Sequence, residues 1–217
     1  MENWRGDSMI EAYLFINPLD EGSLNLEKKF IELAAVGANH IQQKWIPVLN
    51  PQILHRYLLE NHLQNKGLDY RNWLFDLLYS TCLDFKTAQL QGQAVARTFL
   101  MTLQERVLTD GLTYSDELVE SVLADCNIDL PNFIDDRKSQ LVIDFFNKDQ
   151  QIAREMKIER FSSAVIFNYD NNDEYGILLD DQVPDECLID LLITPGFSNV
   201  SGLVSNNHLS RYYYLQK

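Results

Sequence analysis

"IEAYLFINPLDEGSLNLEKKF", residues 10–30, decides the reading of this chain. Residues 10–16, IEAYLFI, are almost wholly apolar and rich in strand formers, the composition of a central strand buried on both faces. The run meets Pro18, and Asp20-Glu21-Gly22-Ser23 follow as a tight loop. Leu26, Phe30, Leu33 and Ala34 then recur at helical spacing on one face, with Glu27, Lys28, Lys29 and Glu32 largely on the other. Gly37 ends that helix. Residues 40–48, HIQQKWIPV, read as a second strand that Pro47 ends or places at an edge. Strand, helix and strand make a βαβ unit.

From about residue 51 to 157 the apolar residues fall at helical spacing and strand signals vanish. Tyr70, Trp73, Leu74, Leu77 and Leu78 form one stripe, and Val95, Phe99, Leu103 and Val107 another. Ser115 opens a further helix carrying Leu118, Val122 and Leu123, with Asp116 and Glu117 in its first turn. Leu141, Val142, Phe145, Phe146, Ile152 and Met156 mark a long last helix. Gly67, Asp110-Gly111 and Pro131 punctuate the stretch, which predicts a bundle of four or five helices. Strand chemistry returns at 164–169, AVIFNY, and 175–179, YGILL, around the hairpin signal Asp170-Asn171-Asn172-Asp173. That turn resembles a calcium loop, but Tyr175 stands where the loop needs glycine, so it reads as a turn. Residues 184–193 form a final helix with Pro184 near its start and Thr194-Pro195-Gly196 as its stop. The Ser- and Asn-rich tail after it reads as a loosely ordered terminus, with a docking strand at the tyrosines 212–214 as the alternative. No internal repeat is visible.

The 217 residues are 46% hydrophobic and 23% charged, the balance of a soluble globular protein, with a net charge of -14. Such a chain repels phosphate backbones and anionic lipid, and it holds no basic patch, so neither nucleic acid nor membrane is an expected partner. No apolar run approaches the roughly 20 residues that cross a bilayer. Residues 1–15 lack a signal peptide's basic and apolar regions, which predicts a cytoplasmic protein, with Met9 as an alternative start. Arg5-Gly6-Asp7 is then a chance match to an adhesion tripeptide. Cys82, Cys126 and Cys187 form no C-x-x-C and read as free thiols. His55 and His62 are too far apart for an i, i+4 metal pair, and His40 and His208 stand alone. Asp135-Asp136 and Asp180-Asp181 read as solvated acids, and no P-loop, G-x-S-x-G or G-x-G-x-x-G is present.

The order βαβ, helical insert, ββα resembles the DsbA-like family over residues 9–193. Within that family the chain looks most like the cytoplasmic adaptors that deliver the transcription regulator Spx to the ClpXP protease. The stretches that carry the likeness are "YLFINPLDEGSLNLEKKF", "QLQGQAVARTFLMTLQERVLTDG" with "YSDELVESVLADCNIDLPNF", and "DQQIAREMKIERFSSAVIF". The resemblance implies an α/β, thioredoxin-like fold with a large α-helical insertion. Residues 9–55 and 158–193 would form the thioredoxin-like domain, 56–157 the insertion, and 194–217 a tail.

The family carries C-P-x-C in the loop before the first helix, where the helix N-terminus stabilises a thiolate. Laid onto this chain, the first Cys position is Asp20, the Pro is Glu21, Gly22 follows, and the second Cys is Ser23. Asp20 is then expected to cap the helix and Gly22 to take a positive φ. The family's cis-proline falls at Ser162, where the preceding bond is expected to be trans. The resemblance therefore implies a protein with no catalytic residues, cofactor or metal, whose partners are an Spx-like regulator and ClpX within ClpXP. The enzymatic alternatives are a kappa-like glutathione transferase or isomerase using Ser23, or a residual thiol-disulfide oxidoreductase.

Overall fold

The computed structural model describes residues 10–35, 41–169, 175–180, 188, 189, 192 and 214–216. Met9, Gly37, His40, the turn at 170–173, Asp181, Cys187, His208 and most of 184–193 lie outside them. Ile10–Ile16 forms β1, Glu21–Ala35 α1 and Ile41–Pro47 β2. Six helices follow: α2 (Pro51–Glu60), α3 (Gly67–Leu90), α4 (Gln93–Gln104), α5 (Asp116–Asp125), α6 (Leu130–Asp136) and α7 (Gln140–Glu155). Ser163–Asn168 forms β3, Tyr175–Asp180 β4 and Tyr214–Gln216 β5. The sheet runs β2-β1-β3-β4-β5.

The described residues divide into two compact units. One gathers those of Met1–Leu14, Asn25–Trp45 and Ser162–Lys217; the other gathers Phe15–Leu24 and Ile46–Phe161. In the first, Ala12, Leu14, Phe30, Ala164, Val165 and Ile166 are fully buried. β3 and β4 pair antiparallel with Phe167 opposite Gly176. A Cβ at Gly176 would stand 2.7 Å from two atoms of the Phe167 ring, so any other residue there must displace that ring. Glu11 accepts from Lys44 at 3.2 Å, Tyr13 at 3.1 Å and Tyr169 at 3.0 Å. Burial works against its charge, yet the bonds from Lys44 and Tyr169 hold its carboxyl below the usual range.

In the second unit, helix starts follow local chemistry. Asn50, Ser115, Asp129 and Ser139 each accept a first-turn N–H at the start of α2, α5, α6 and α7. The core is built from Leu78, Cys82, Phe85, Phe99, Leu100, Leu103, Val122, Phe133 and Val142, all buried. Gln150 on α7 ties this core to the last residue of β2 and the chain just after it. Its Oε1 accepts from Leu49 N at 2.9 Å and its Nε2 donates to Pro47 O at 2.9 Å.

Several expectations are corrected. Residues 51–157 hold six α-helices rather than four or five, because breaks at Gly92 and Ser139 part α3 from α4 and α6 from α7; a π-helical turn, Glu105–Thr109, continues α4, and α2, α5 and α7 end without glycine. His62, Asn127 and Lys157 take the left-handed conformation instead, at φ 56°, 54° and 54°. The next residue's N–H then closes each helix end, as Leu63 N does to Leu58 O at 2.7 Å. His55 and His62 therefore share no helix face. Pro131 opens α6 rather than separating helices. Glu27 is fully buried, not on a solvated face, and Trp73 is 56% exposed, not in the core stripe. The tail supplies β5, which pairs antiparallel with β4 and places Tyr214 opposite Ile177.

Candidate functional site

The site begins where β1 hands over to α1. Asp20 is the cap: its N–H donates to Asn17 O at 3.2 Å, and its Oδ2 accepts from Ser23 N at 2.8 Å. The same Oδ2 accepts the Ser23 hydroxyl at 3.0 Å. Ser23 Oγ in turn accepts from Asn17 N at 3.0 Å. The hydroxyl thus both gives and receives a bond, and the side chain is completely buried. Glu21, at the first helical position, is exposed and lies favourably at the positive end of the helix dipole.

Gly22 departs from expectation. It is an ordinary residue of α1, and the positive-φ glycines among the described residues are Gly67, Gly92 and Gly111. With Asp20 as cap, the turn is already helical at Gly22, so no left-handed residue is required. Ser162 belongs to the other unit, one residue before β3, and is 3% exposed. Its preceding peptide is trans, as are all the described peptides, and its φ is 56°.

Two participants were not singled out in the sequence. Asn17 is fully buried and folds the loop back on itself, its Oδ1 accepting from Leu19 N at 2.9 Å. The Asn-Pro dipeptide at 17–18 is a turn signal that could have pointed to it. Tyr57, from α2, stands close enough to feel Asp20. Burial and then the Asp20 charge push its phenol above the ordinary value. The Tyr57 ring meets Phe161 edge-on at 5.5 Å. Nothing local in the sequence links Tyr57 to residue 20.

Among the described residues no cysteine enters this arrangement. Cys82 is fully buried in α3, and burial, with the Asp149 and Asp84 charges, pushes its thiol far up. Burial also raises the thiol of Cys126, at the end of α5. Among the described residues no three His, Cys, Asp or Glu gather to hold a metal ion. No described helix is long and apolar enough to cross a membrane.

Known proteins place this geometry in context. The family model described as Thioredoxin matches residues 13–188. The chain is 28% identical over 167 residues to the ClpXP adapter protein SpxH of Staphylococcus saprophyticus, covering 77% of this chain and 59% of that protein. It is 29% identical over 171 residues to the ClpXP adapter protein SpxH of Staphylococcus aureus, again covering 77% and 59%. The chain thus spans about three fifths of the length of these relatives. Among solved structures it is similar to DsbA of Pseudomonas aeruginosa, with a TM-score of 0.57 at 13% identity, covering 94% of this chain and 90% of that one.

Proposed function

The chain belongs to the Thioredoxin family, and we propose that it works there without redox chemistry, as an adaptor that binds the transcription regulator Spx and promotes its degradation by ClpXP. The observation that carries this reading is the carboxylate at the α1 cap. At the helix start where the DsbA-like family keeps its reactive thiolate, Asp20 accepts both the N–H and the hydroxyl of Ser23. Neither group can cycle between dithiol and disulfide. The deep burial of Cys82 supports the same conclusion, since a thiol held neutral there is a poor nucleophile. Asp20, Glu21, Gly22, Ser23 and Ser162 are, in this proposal, remnants of a redox site kept for their structural value.

The likeness to two SpxH proteins supports the adaptor half of the reading. An adaptor needs no chemistry of its own. It holds a client beside the unfoldase and raises the local concentration. The net charge of -14 favours fast encounter with basic segments of a partner. The proposed setting is the cytoplasm. Residues 9–55 with 158–193 are proposed as the thioredoxin-like domain and 56–157 as the inserted one. The glutathione-transferase alternative fares worse. It needs the Ser23 hydroxyl free to meet a thiolate, but that hydroxyl is buried and already bonded on both sides.

The deciding experiment measures the rate at which ClpXP degrades Spx with and without this protein. Acceleration at substoichiometric amounts is the expected result, weakening as salt rises. No acceleration together with no binding to Spx would refute the proposal. Dithiol oxidation or insulin reduction well above background would refute its non-redox part.

A further inference from the structure

We propose that the outer face of α3 built by Asp69, Trp73 and Asp76 is the docking site for an arginine-bearing segment of a protein partner. This deepens the adaptor reading and rests on it. Positions 69, 73 and 76 follow one another at helical spacing and share a face, and all three are exposed. The opposite side of the same helix buries Leu74 and Leu78, so the helix is already anchored without Trp73. Trp73 is 56% exposed, and Leu68, at the start of the helix, is 69% exposed. Tryptophan is the residue most often found to dominate a protein interface, because it offers a large rigid surface at small entropic cost.

The chemistry around the indole names the occupant. Asp69 and Asp76 flank it, and neither carboxylate has an ion-pair or hydrogen-bond partner among the described residues. The Tyr70 ring lies 5.4 Å from the Trp73 ring and has Lys66 Nζ 5.9 Å from its centroid. The aromatic pair thus already holds one cation from its own chain, on the tyrosine. No described cation lies over the indole, which is the stronger cation–π acceptor. A guanidinium stacks flat on such a ring while its edge donors reach flanking carboxylates, a fit that an ammonium cannot match. Nucleic acid and anionic lipid would meet the two free carboxylates and are repelled.

The test uses the full chain and a fluorescein-labelled peptide of alternating Arg and Leu, with a copy in which citrulline replaces Arg. Variants are Trp73→Ala, the pair Asp69→Asn with Asp76→Asn, and a charge-matched control pair, Glu120→Gln with Asp135→Asn. The Arg peptide is expected to bind, to lose about fivefold to tenfold in affinity with Trp73→Ala, and to lose most affinity with citrulline. The Asp69/Asp76 pair should weaken binding and flatten its salt dependence, while the control pair stays within about twofold. No binding of the Arg peptide, equal binding of both peptides, equal binding to Trp73→Ala, or an equal loss in the control pair would each overturn the site. So would a dimer of the chain that Trp73→Ala abolishes. The degradation assay separates the two readings. Acceleration that survives in Trp73→Ala, with unchanged peptide affinity, overturns the docking site alone. Peptide binding that depends on Trp73, in a protein that never accelerates degradation, overturns the adaptor reading alone.

Discussion

Arg137→Met should destabilise the protein by about 3–5 kcal/mol near pH 7.5, and by much less at pH 5. The reason lies in Asp84, whose side chain on α3 is fully buried. Arg137 binds it twice, through Nε to Oδ1 and through Nη2 to Oδ2 at 3.1 Å, and the Tyr114 hydroxyl donates to Oδ2 at 2.6 Å. Methionine keeps most of the aliphatic stem, so the loss is chiefly charge. Arg137 also donates through Nη2 to the Tyr114 hydroxyl at 3.1 Å and through Nη1 to Asp116 at 2.7 Å, the latter an exposed carboxylate that adds little. Burial outweighs Arg137 and pushes Asp84 up to about 6. Its folded value therefore lies above the unfolded value of about 3.9. The site's stabilisation is complete below the unfolded pKa and is lost as pH rises through the folded one, a change of about 3 kcal/mol over those two pH units. At pH 5 most Asp84 is already neutral, so removing Arg137 costs only hydrogen bonds and packing, about 1–2 kcal/mol. Urea unfolding of both proteins at pH 5 and 7.5 reads the difference as a shift in midpoint at constant slope. An equal destabilisation at both pH values would refute the reasoning, because Asp84 would then be ionised throughout.

Three further outcomes can be checked by the same unfolding measurement. Ser23→Ala removes the acceptor of the buried Asn17 N–H and should cost about 1–3 kcal/mol, whereas Asp20→Ala, losing the cap, should cost about 1. Gly176→Ala forces a methyl against Phe167 and Val165 and should cost about 1–3 kcal/mol; a neutral result would show that the Phe167 ring yields freely. Lys86→Met strands Asp149, its buried partner at 2.8 Å, at about 3–5 kcal/mol, while Lys86→Met with Asp149→Leu should restore most of the loss.

The strand, loop and helix at residues 10–35 were legible because each signal is local: an apolar run, a proline, and a capping acid. Ser115 as a helix start was legible for the same reason. The helix ends were not. Glycine announces a left-handed residue, but His62, Asn127 and Lys157 adopt that conformation where the following N–H closes the helix end, and residue type marks such positions only weakly, through the mild preference of Asn and His for it. Periodicity placed Trp73 inward because it reports polarity, not which neighbours exist to cover a face. Glu27 was placed outward on the same logic. At the candidate site, the Asp20 cap followed from residue type and position. The commitment of Ser23 to Asn17 depends on how the chain folds back after β1, and Tyr57 arrives from another helix. Tyr214–Gln216 came to the sheet through pairing with β4, for which the tail's composition gave only the tyrosines as a hint.

The sheet order carries a consequence for biosynthesis. β1 neighbours β3 in the sheet, yet the entire helical stretch is translated between Ile16 and Ser163. At ordinary elongation rates the ribosome needs on the order of ten seconds to cover it. Throughout that interval the apolar run IEAYLFI waits for one of its two strand neighbours, while the helices, rich in local contacts, can settle first. Nascent chains of this protein thus carry a half-paired apolar strand until β3 emerges and the sheet can close, the interval in which mispairing of β1 competes with folding.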